Sequence, residues 1–171
     1  MKKHQNLEIP VERSEMVMKN LFIYETSIGK VGIEADDQFV THLYLPNQAE
    51  LLEKTLNETA LIKEAAIQLQ VYLAGKLKQF DLPLNPAGTP FMQAVWSELQ
   101  KIPYGHFCSY GDIARAVGRP KAFRAVGMAN NRNPIPIFIP CHRVIGADGS
   151  LIGYGGSLDL KLHLLALEAQ Y

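Results

Sequence analysis

A thiol, an imidazole and a guanidinium stand side by side at Cys141, His142 and Arg143. The segment before them, 134–140, consists of proline, isoleucine and phenylalanine, which predicts a buried extended stretch rather than a helix. A cysteine among apolar residues is usually an inert thiol. Nearby positive charge, however, lowers a thiol pKa from about 8.5 and favours the nucleophilic thiolate. The triplet therefore favours a reactive cysteine at position 141.

His142 is the base that such a thiol needs. Adjacent residues on a strand point to opposite faces, so we expect a bridging water, not direct contact, between His142 and Cys141. A histidine acting as a base has its other nitrogen held, usually by a carboxylate. Asp148, Asp159 and Glu168 are the candidates. Glu168 is favoured because it follows an apolar helical stripe that must pack on this core.

The composition excludes several classes of protein. Two cysteines, Cys108 and Cys141, cannot form a disulfide framework or a four-cysteine zinc site, and no histidine has metal-ligand spacing. We therefore expect no metal and no cofactor, and we interpret Cys108 as structural. Hydrophobic residues make up 47% of the 171 positions, enough for a real core. No apolar run approaches the ~18 residues of a membrane span, so we expect a cytoplasmic protein.

The amino-terminal half has the pattern of an α/β unit. Alternating apolar residues bounded by turn residues predict strands over 21–25, 31–35, 39–45 and 80–84. Helical spacing predicts helices over 48–56 and 61–73. The uncharged stretch 83–88, with two prolines and a glycine, predicts a linker, and we place the domains at 1–86 and 87–171.

The carboxyl-terminal half is mostly helical by pattern. Thr89 and Pro90 are typical of the start of a helix that ends before Pro103, and Ser109 is a natural cap for a helix over 110–117. Pro120 is expected to open a further helix through about residue 130, and the last helix covers 158–169. Between them, 144–145 and 151–152 flank a turn and predict a hairpin.

The segment that contains the first of these helices is locally basic. The whole chain has 17 Lys+Arg and 17 Asp+Glu, yet residues 89–133 hold six basic and two acidic side chains. Two helices around a glycine turn, followed by a hairpin, match a winged helix-turn-helix, although such helix pairs more often only pack together. The second helix carries small residues around Arg124, in what we expect to be its middle. That composition favours an enzyme that flips a base over a sequence-specific reader.

Nine short motifs then identify a resemblance. They are PCHRV at 140–144, GTPF at 88–91, VW at 95–96, IPYG at 102–105, SYGDIA at 109–114, RAVG at 124–127, NPIP at 133–136, GYGG at 153–156 and LLALE at 164–168. In this collinear order, the chain resembles the methylated-DNA–protein-cysteine methyltransferases, the suicide O6-alkylguanine-DNA alkyltransferases. The resemblance covers about half of the chain, residues 88–171, and its motifs are highly specific. The amino-terminal half matches only in outline.

The resemblance implies a function and a set of catalytic roles. The function is irreversible, stoichiometric transfer of an alkyl group from O6-alkylguanine, and from O4-alkylthymine, to Cys141. His142 would be the water-mediated base held by Glu168. Asn133 would brace the cysteine segment. Tyr110 would help turn the 3′ phosphate and donate to guanine N3.

The resemblance also implies the fold and the contacts with DNA. The fold would be a ribonuclease-H-like α/β domain followed by a mostly helical domain with a winged helix-turn-helix. Arg124 would replace the flipped nucleotide, in a monomer whose partner is alkylated double-stranded DNA. Further DNA contacts would come from Ser109, Arg115, Lys121, Ala125 and Arg132. The substrate pocket would be lined by Pro136, Val144, Tyr154, Gly155 and Gly156.

Two departures and two alternatives remain open. Some members place a serine in the pocket loop, which here reads Tyr154-Gly155-Gly156. Cys108 stands where threonine or valine is expected. A Cys-His hydrolase or acyl transferase is the first alternative, which the adjacency of Cys141 and His142 disfavours. The second is a lesion-binding relative without catalysis or a winged-helix regulator. Such relatives lack the acceptor cysteine that is present here.

Overall fold

The computed structural model describes residues 17–50, 56–152, 154 and 156–170. Its amino-terminal part is an antiparallel sheet in the order β1-β2-β3. The strands are β1 (Asn20–Thr26), β2 (Gly29–Ala35) and β3 (Val40–Tyr44). Gly29 has φ +108°, which glycine adopts without strain in the turn between β1 and β2. The three strands predicted before residue 46 are therefore confirmed.

Two helices follow the sheet, α1 (Pro46–Ala49) and α2 (Ala60–Leu73). The prediction for α2 is confirmed, with Thr59 accepting a hydrogen bond from the Ile62 amide as the N-cap. The predicted helix over 48–56 is only partly testable. Its helical residues begin earlier, at Pro46, Leu56 is not helical, and 51–55 lie outside the described residues.

The predicted strand over 80–84 is wrong. Only Leu84 forms a bridge, parallel to Val40. The Pro83 carbonyl accepts from the Val40 amide at 2.9 Å, and the Asn85 amide donates to the Val40 carbonyl at 3.0 Å. Pro83 has no amide hydrogen to extend this ladder, so pairing stops after one residue.

Four helices build the carboxyl-terminal part. They are α3 (Pro90–Leu99), α4 (Tyr110–Ala116), α5 (Phe123–Asn131) and α6 (Leu158–Glu168). Thr89 caps α3 by accepting from the Met92 amide, and Ser109 caps α4 in a capping box with Asp112. Both predicted helix starts are confirmed. Such starts can be predicted from sequence because a cap is a hydrogen bond between residues close together in the chain.

The predicted start of α5 at Pro120 is wrong by three residues. Gly118 ends α4 with φ +75°, and the Arg119 amide donates back to the Ala114 carbonyl. The Ala122 amide then donates to the Arg119 carbonyl, so Pro120 occupies the second position of a β-turn, which also favours proline. Arg124 consequently lies in the first turn of α5 and not in its middle.

The predicted hairpin after Cys141 is also wrong. Its first strand, β5 (Val144–Ile145), pairs in parallel with β4 (Cys108–Ser109), far away in the chain. The loop between 146 and 150 still closes, with a 2.7 Å hydrogen bond from the Gly146 amide to the Ser150 carbonyl. Residues 151–152 form no strand because the Ile152 carbonyl accepts from the Tyr110 hydroxyl and from Lys161 instead.

The segment before the cysteine turns sharply instead of running straight. Ile137 has φ +74° and the Ile139 amide donates to the Ile135 carbonyl at 2.9 Å. The segment is buried, as predicted, but it is not extended. Cys141–Arg143 form one turn of 3₁₀ helix, so the expectation of a strand there is wrong. Side chains on such a turn diverge by about 120°, not 180°.

One hydrophobic core runs through both parts of the chain, from Ile33 and Leu43 of the sheet to Trp96 of α3. The Leu43 amide donates to the Pro134 carbonyl at 3.0 Å, which ties β3 to the segment that carries the cysteine. The indole of Trp96 donates to the Ala129 carbonyl at 2.9 Å and joins α3 to α5. None of the described helices is long and apolar enough to cross a membrane.

Candidate active site

Cys141 begins the 3₁₀ turn and is 2% exposed. Burial raises the pKa of its thiol to about 11. A hydrogen bond from Asn133 and the positive charge of Lys161 act in the opposite direction, because both favour the thiolate. The sequence-based expectation that His142 and Arg143 supply the lowering charge is wrong. Their side chains are engaged with Glu168, so the cation that favours the thiolate is Lys161.

Glu168, at the end of α6, gathers the polar groups around His142. Its Oε1 accepts from His142 Nε2 at 2.8 Å and from Arg143 Nη2 at 2.8 Å, and its Oε2 accepts from Arg143 Nε at 2.9 Å. The Tyr72 hydroxyl of α2 donates to Oε1 at 2.6 Å, and the Gly105 amide to Oε2 at 3.3 Å. The buried carboxylate thus has a donor on every side.

These contacts decide the charge on the carboxylate. Burial alone would raise the pKa of Glu168, but the hydrogen bonds from His142 and Arg143 outweigh it and hold that pKa well below its usual range. Burial lowers the pKa of His142, and the bond to Glu168 opposes that effect. A carboxylate beside Nε2 makes this nitrogen the protonated one in neutral imidazole. Nδ1 is then the basic nitrogen.

Nδ1 of His142 is buried and makes no hydrogen bond with any residue that the structure describes. No hydrogen bond joins His142 to the thiol of Cys141 within the same residues either. Of the three candidate carboxylates, Glu168 is the one that contacts the imidazole, whereas Asp148 and Asp159 lie on the surface. The favoured choice of partner is therefore confirmed as a contact.

Asn133 braces the segment in front of the cysteine. Its Nδ2 donates to the Ile139 carbonyl at 2.9 Å and its Oδ1 accepts from the Ile135 amide at 3.0 Å. A second asparagine, Asn130, donates to the carbonyl of Cys141 at 3.2 Å. Sequence reasoning missed Asn130, although its position one helical turn after Val126 on the buried face of α5 is a usable signal.

Lys161 is the second residue that sequence reasoning missed. It is fully buried on α6, where its ammonium donates to the Val144 carbonyl at 2.5 Å and to the Ile152 carbonyl at 3.4 Å. Burial lowers its pKa, and the thiol of Cys141 raises it. The ammonium also lies 5.7 Å from the ring centroid of Tyr154. Lys161 forms no ion pair with a carboxylate among the described residues, and its positive charge favours the thiolate of Cys141.

Two tyrosines border the thiol. Tyr110, in the first turn of α4, donates its hydroxyl to the Ile152 carbonyl, and burial followed by the charge of Cys141 raises its pKa to about 12. Burial likewise raises the pKa of Tyr154 above its usual value, followed again by the effect of Cys141. Both phenols are therefore neutral proton donors near neutral pH.

A cavity of about 200 Å³ opens in front of Cys141. Pro136, Tyr154 and Gly156, which were predicted to line the substrate pocket, lie on its wall. Asn133 lies on the wall as well. Val144 does not line it, because its side chain is fully buried and its carbonyl is bound by Lys161. Gly155 lies outside the described residues.

The amino-terminal part also contributes to this cavity. Leu43, Leu45 and Gln48 lie on its wall, although sequence reasoning placed the pocket in the carboxyl-terminal half alone. A Cβ built on Gly156 would lie 2.9 Å from Cδ1 of Leu45 and 2.6 Å from Cε1 of Tyr154. The close packing at this point therefore requires glycine.

The predicted DNA contacts lie on and around α4 and α5, and among them Arg132 also lines the cavity. Arg115, Lys121, Arg124, Ala125 and Arg132 are exposed. Arg115 pairs with Asp112, and the Ser109 hydroxyl is engaged in the cap of α4. Lys121, Arg124 and Arg132 form no ion pair within the described ranges, so their charges are available. No cluster of three or more potential metal ligands occurs among those residues.

Comparison with known proteins places this geometry in a family. The model "6-O-methylguanine DNA methyltransferase, DNA binding domain" matches residues 90–170. The constitutive methylated-DNA–protein-cysteine methyltransferase of Bacillus subtilis is 49% identical over 151 residues, covering 84% of this chain and 92% of that protein. The Methanosarcina acetivorans protein of that name is 46% identical, covering 85% and 96%.

Solved structures agree with these relatives. The O6-methylguanine methyltransferase of Mycobacterium tuberculosis superposes with a TM-score of 0.81 at 42% identity, covering 90% of this chain and 94% of that one. Its crystal structure in complex with DNA gives 0.82 at 43% identity, covering 88% and 93%. The chain therefore belongs to the methylated-DNA–protein-cysteine methyltransferase family.

Proposed function

We propose that this protein repairs DNA by moving an alkyl group from O6 of guanine onto the sulfur of Cys141. The observation that carries the proposal is a buried thiol beside a small cavity, next to a histidine whose Nε2 is bound by Glu168. Nδ1 of that histidine, His142, makes no hydrogen bond with the described residues and can accept a proton. The family and the DNA complex of its M. tuberculosis member support DNA as the partner.

Deprotonation of the thiol is the first step. His142 Nδ1 takes the proton of Cys141 through a bridging water, and Glu168 stabilises the imidazolium that results. The thiolate is stabilised by Asn133 and by the positive charge of Lys161. A thiol pKa near 11 in the DNA-free protein means that most molecules hold the proton until a substrate is bound.

Alkyl transfer is a single in-line displacement. The thiolate attacks the alkyl carbon, a carbon–sulfur bond forms, and the bond from that carbon to O6 breaks with its electrons on guanine. Tyr110, after its hydroxyl leaves the Ile152 carbonyl, donates a hydrogen bond to N3 and stabilises the negative charge that develops on the departing base. The guanine anion then takes up the proton that His142 received from the thiol, through water. O4-alkylthymine carries the same alkyl–oxygen bond and is a second substrate.

The thioether product has no low-energy way back to a thiol, so each molecule reacts once. Nothing within the described residues offers a second nucleophile at the cavity that removes the alkyl group. The protein is thus a stoichiometric reagent. A Cys-His hydrolase, in contrast, would regenerate its thiol.

The helices α4 and α5 form the DNA-binding element in this proposal. They are a helix-turn-helix followed by the 146–150 loop in the place of a wing, with Arg124 entering the duplex as the lesion flips out. Ser109, Ala125 and the exposed cations contact the backbone. The chain is divided in this proposal into a small ribonuclease-H-like unit, 1–86, and the repair unit, 87–171. The protein acts as a monomer in the cytoplasm.

Titration tests the proposal. Increasing amounts of duplex carrying O6-methylguanine are added to a fixed amount of protein, and repaired DNA is counted after the reaction stops. We expect repaired DNA to level off at one equivalent of protein, and the Cys141→Ser variant to bind the duplex without repairing it. Repair that continues far beyond one equivalent would contradict the stoichiometric mechanism.

A further inference from the structure

A side chain from the amino-terminal sheet unit reaches the centre of the active site. Tyr72 lies near the end of α2 and is fully buried, and its hydroxyl donates to Glu168 Oε1 at 2.6 Å. The two residues are 96 positions apart. This is the shortest hydrogen bond that the carboxylate makes within the described residues.

The hydroxyl shares its acceptor with the imidazole. His142 Nε2 lies 2.8 Å from the same Oε1, and the hydroxyl and Nε2 are 3.4 Å apart. Both groups are donors when Glu168 is a carboxylate, so the 3.4 Å separation reflects two donors on one oxygen and not a bond between them. The hydrogen bond from Tyr72 reduces the negative charge on Oε1 that is left to stabilise a proton on His142.

The ring of Tyr72 is fixed by its neighbours. Phe80 lies 5.1 Å away in a tilted contact, and Tyr104 lies 6.1 Å away edge-on. Burial, followed by the charge of Glu168, raises the pKa of Tyr72 above its usual value, so the phenol keeps its proton. A fixed, neutral donor is suited to hold a carboxylate in one position.

We propose that Tyr72 is a positioning residue for alkyl transfer: its hydroxyl fixes Glu168 and weakens the hold of that carboxylate on the His142 proton. The proposal rests on the proposed function of the site. It gives the amino-terminal unit a part in the chemistry, because the basicity of His142 depends on a hydroxyl supplied by α2.

The other groups that face His142 and Glu168 set the sign of the effect. They are Arg143 and Cys141 of the 3₁₀ turn, Lys161 of α6 and, beside Tyr72, Tyr104. The cations Arg143 and Lys161 disfavour imidazolium and the carboxylate favours it. Removing the Tyr72 hydroxyl leaves these charges in place and returns negative charge to Oε1. The pKa of His142 must then rise.

Tyr72→Phe removes the hydroxyl and keeps the ring. Two readouts are followed against pH: the ¹⁵N shifts of the His142 ring in DNA-free protein, and the single-turnover transfer rate at saturating protein. We expect the pKa of His142 and the acid limb of the rate profile to move up by about half a pH unit, roughly a three-fold change in proton affinity. The rate on the plateau above that limb falls less than the rate below it.

Two further variants keep the test decisive. Phe80→Leu loosens the ring contact without touching the hydroxyl, and should leave both pH midpoints in place. Replacement of Tyr72 by 3-fluorotyrosine keeps the packing and strengthens the donor, so it should lower the pKa of His142. This second variant decides the question even if Tyr72→Phe folds poorly.

An unchanged His142 pKa in both Tyr72 variants would overturn the proposal, as would an equal shift in Phe80→Leu. A uniform loss of rate at every pH would mean that Tyr72 only supports the fold. The ring titration needs no DNA. If the wild-type protein transfers no alkyl group, the proposed function fails while the titration still decides the role of Tyr72.

Discussion

Glu168 Oε1 lies 2.8 Å from Nε2 of His142, and the carboxylate is 1% exposed. The same carboxylate accepts hydrogen bonds from Nε and Nη2 of the buried Arg143. One acidic side chain therefore orients the base and neutralises a buried cation. Stability and reactivity are coupled at this residue.

Glu168→Gln should cost both stability and activity. The amide cannot neutralise Arg143, and an uncompensated buried charge costs about 3–5 kcal/mol of unfolding free energy near pH 7. Urea denaturation measures that loss. Glu168→Asp is the charge-retaining control and should lose less stability. Equal stability of wild type and Glu168→Gln would contradict the ion pair's role.

The same residue predicts an acid-sensitive stability. The pKa of Glu168 is lowered in the folded protein, so its contribution is complete above the unfolded value of about 4.3 and is lost as the pH falls below it. Wild-type unfolding free energy should therefore drop more steeply than that of Glu168→Gln as the pH falls from about 5 towards 2. Parallel pH profiles for the two proteins would be evidence against this linkage.

Lys161→Met should raise the thiol pKa above its present value near 11, because the cation that favours the thiolate is gone. The thiolate absorbance of Cys141 is followed against pH in a Cys108→Ser background, with Lys63→Met as a control on the exposed face of α2. Single-turnover transfer at neutral pH should slow at least ten-fold, about 1.4 kcal/mol in barrier. A thiol titration that does not move would remove Lys161 from the mechanism.

Binding to undamaged duplex should depend strongly on salt. Neutralising about three to five phosphates with the exposed cations of α4, α5 and their turns predicts a slope of roughly −3 to −5 for log affinity against log salt. Lys121→Ala should reduce this slope by about 1, whereas Lys63→Ala should not change it. A slope near zero would rule out the electrostatic interface.

Arg124→Ala should separate base extrusion from chemistry. Flipping costs a few kcal/mol in duplex and less in single strand, so the variant should lose at least ten-fold in rate on duplex and little with free O6-benzylguanine. Lys121→Ala, which removes another exposed cation, is the matched control and should act mainly on affinity. Equal losses on duplex, single strand and free base would mean that Arg124 supports the fold instead.

Local patterns predicted much of the fold. Thr89 and Ser109 were found as helix caps because a cap is a hydrogen bond between residues three positions apart. The pairing of β5 with β4 was missed because it joins segments 36 residues apart, from Cys108 to Val144. The turn at Pro120 was missed because proline suits both the first position of a helix and the second of a turn.

The site was predicted only as far as its motifs reach. Cys141, His142 and Glu168 were predicted because a thiol beside an imidazole, with a carboxylate after an apolar helical stripe, is a pattern typical of a reactive cysteine. Lys161 and Tyr72 do not: a lysine on a helix is normally at the surface, and a tyrosine in an apolar stripe is normally core. Only tertiary packing brings Tyr72 to the Glu168 carboxylate and Lys161 to the Val144 carbonyl.

The mass of the intact protein after reaction with O6-methylguanine DNA tests the central claim most directly. The account predicts one added methyl group per molecule, mapped by peptide analysis to Cys141, with no second addition however long the incubation. Cys108→Ser should gain the same single methyl, and Cys141→Ser should gain none. A methyl group on Cys108, or an unmodified protein after the DNA has been repaired, would contradict it.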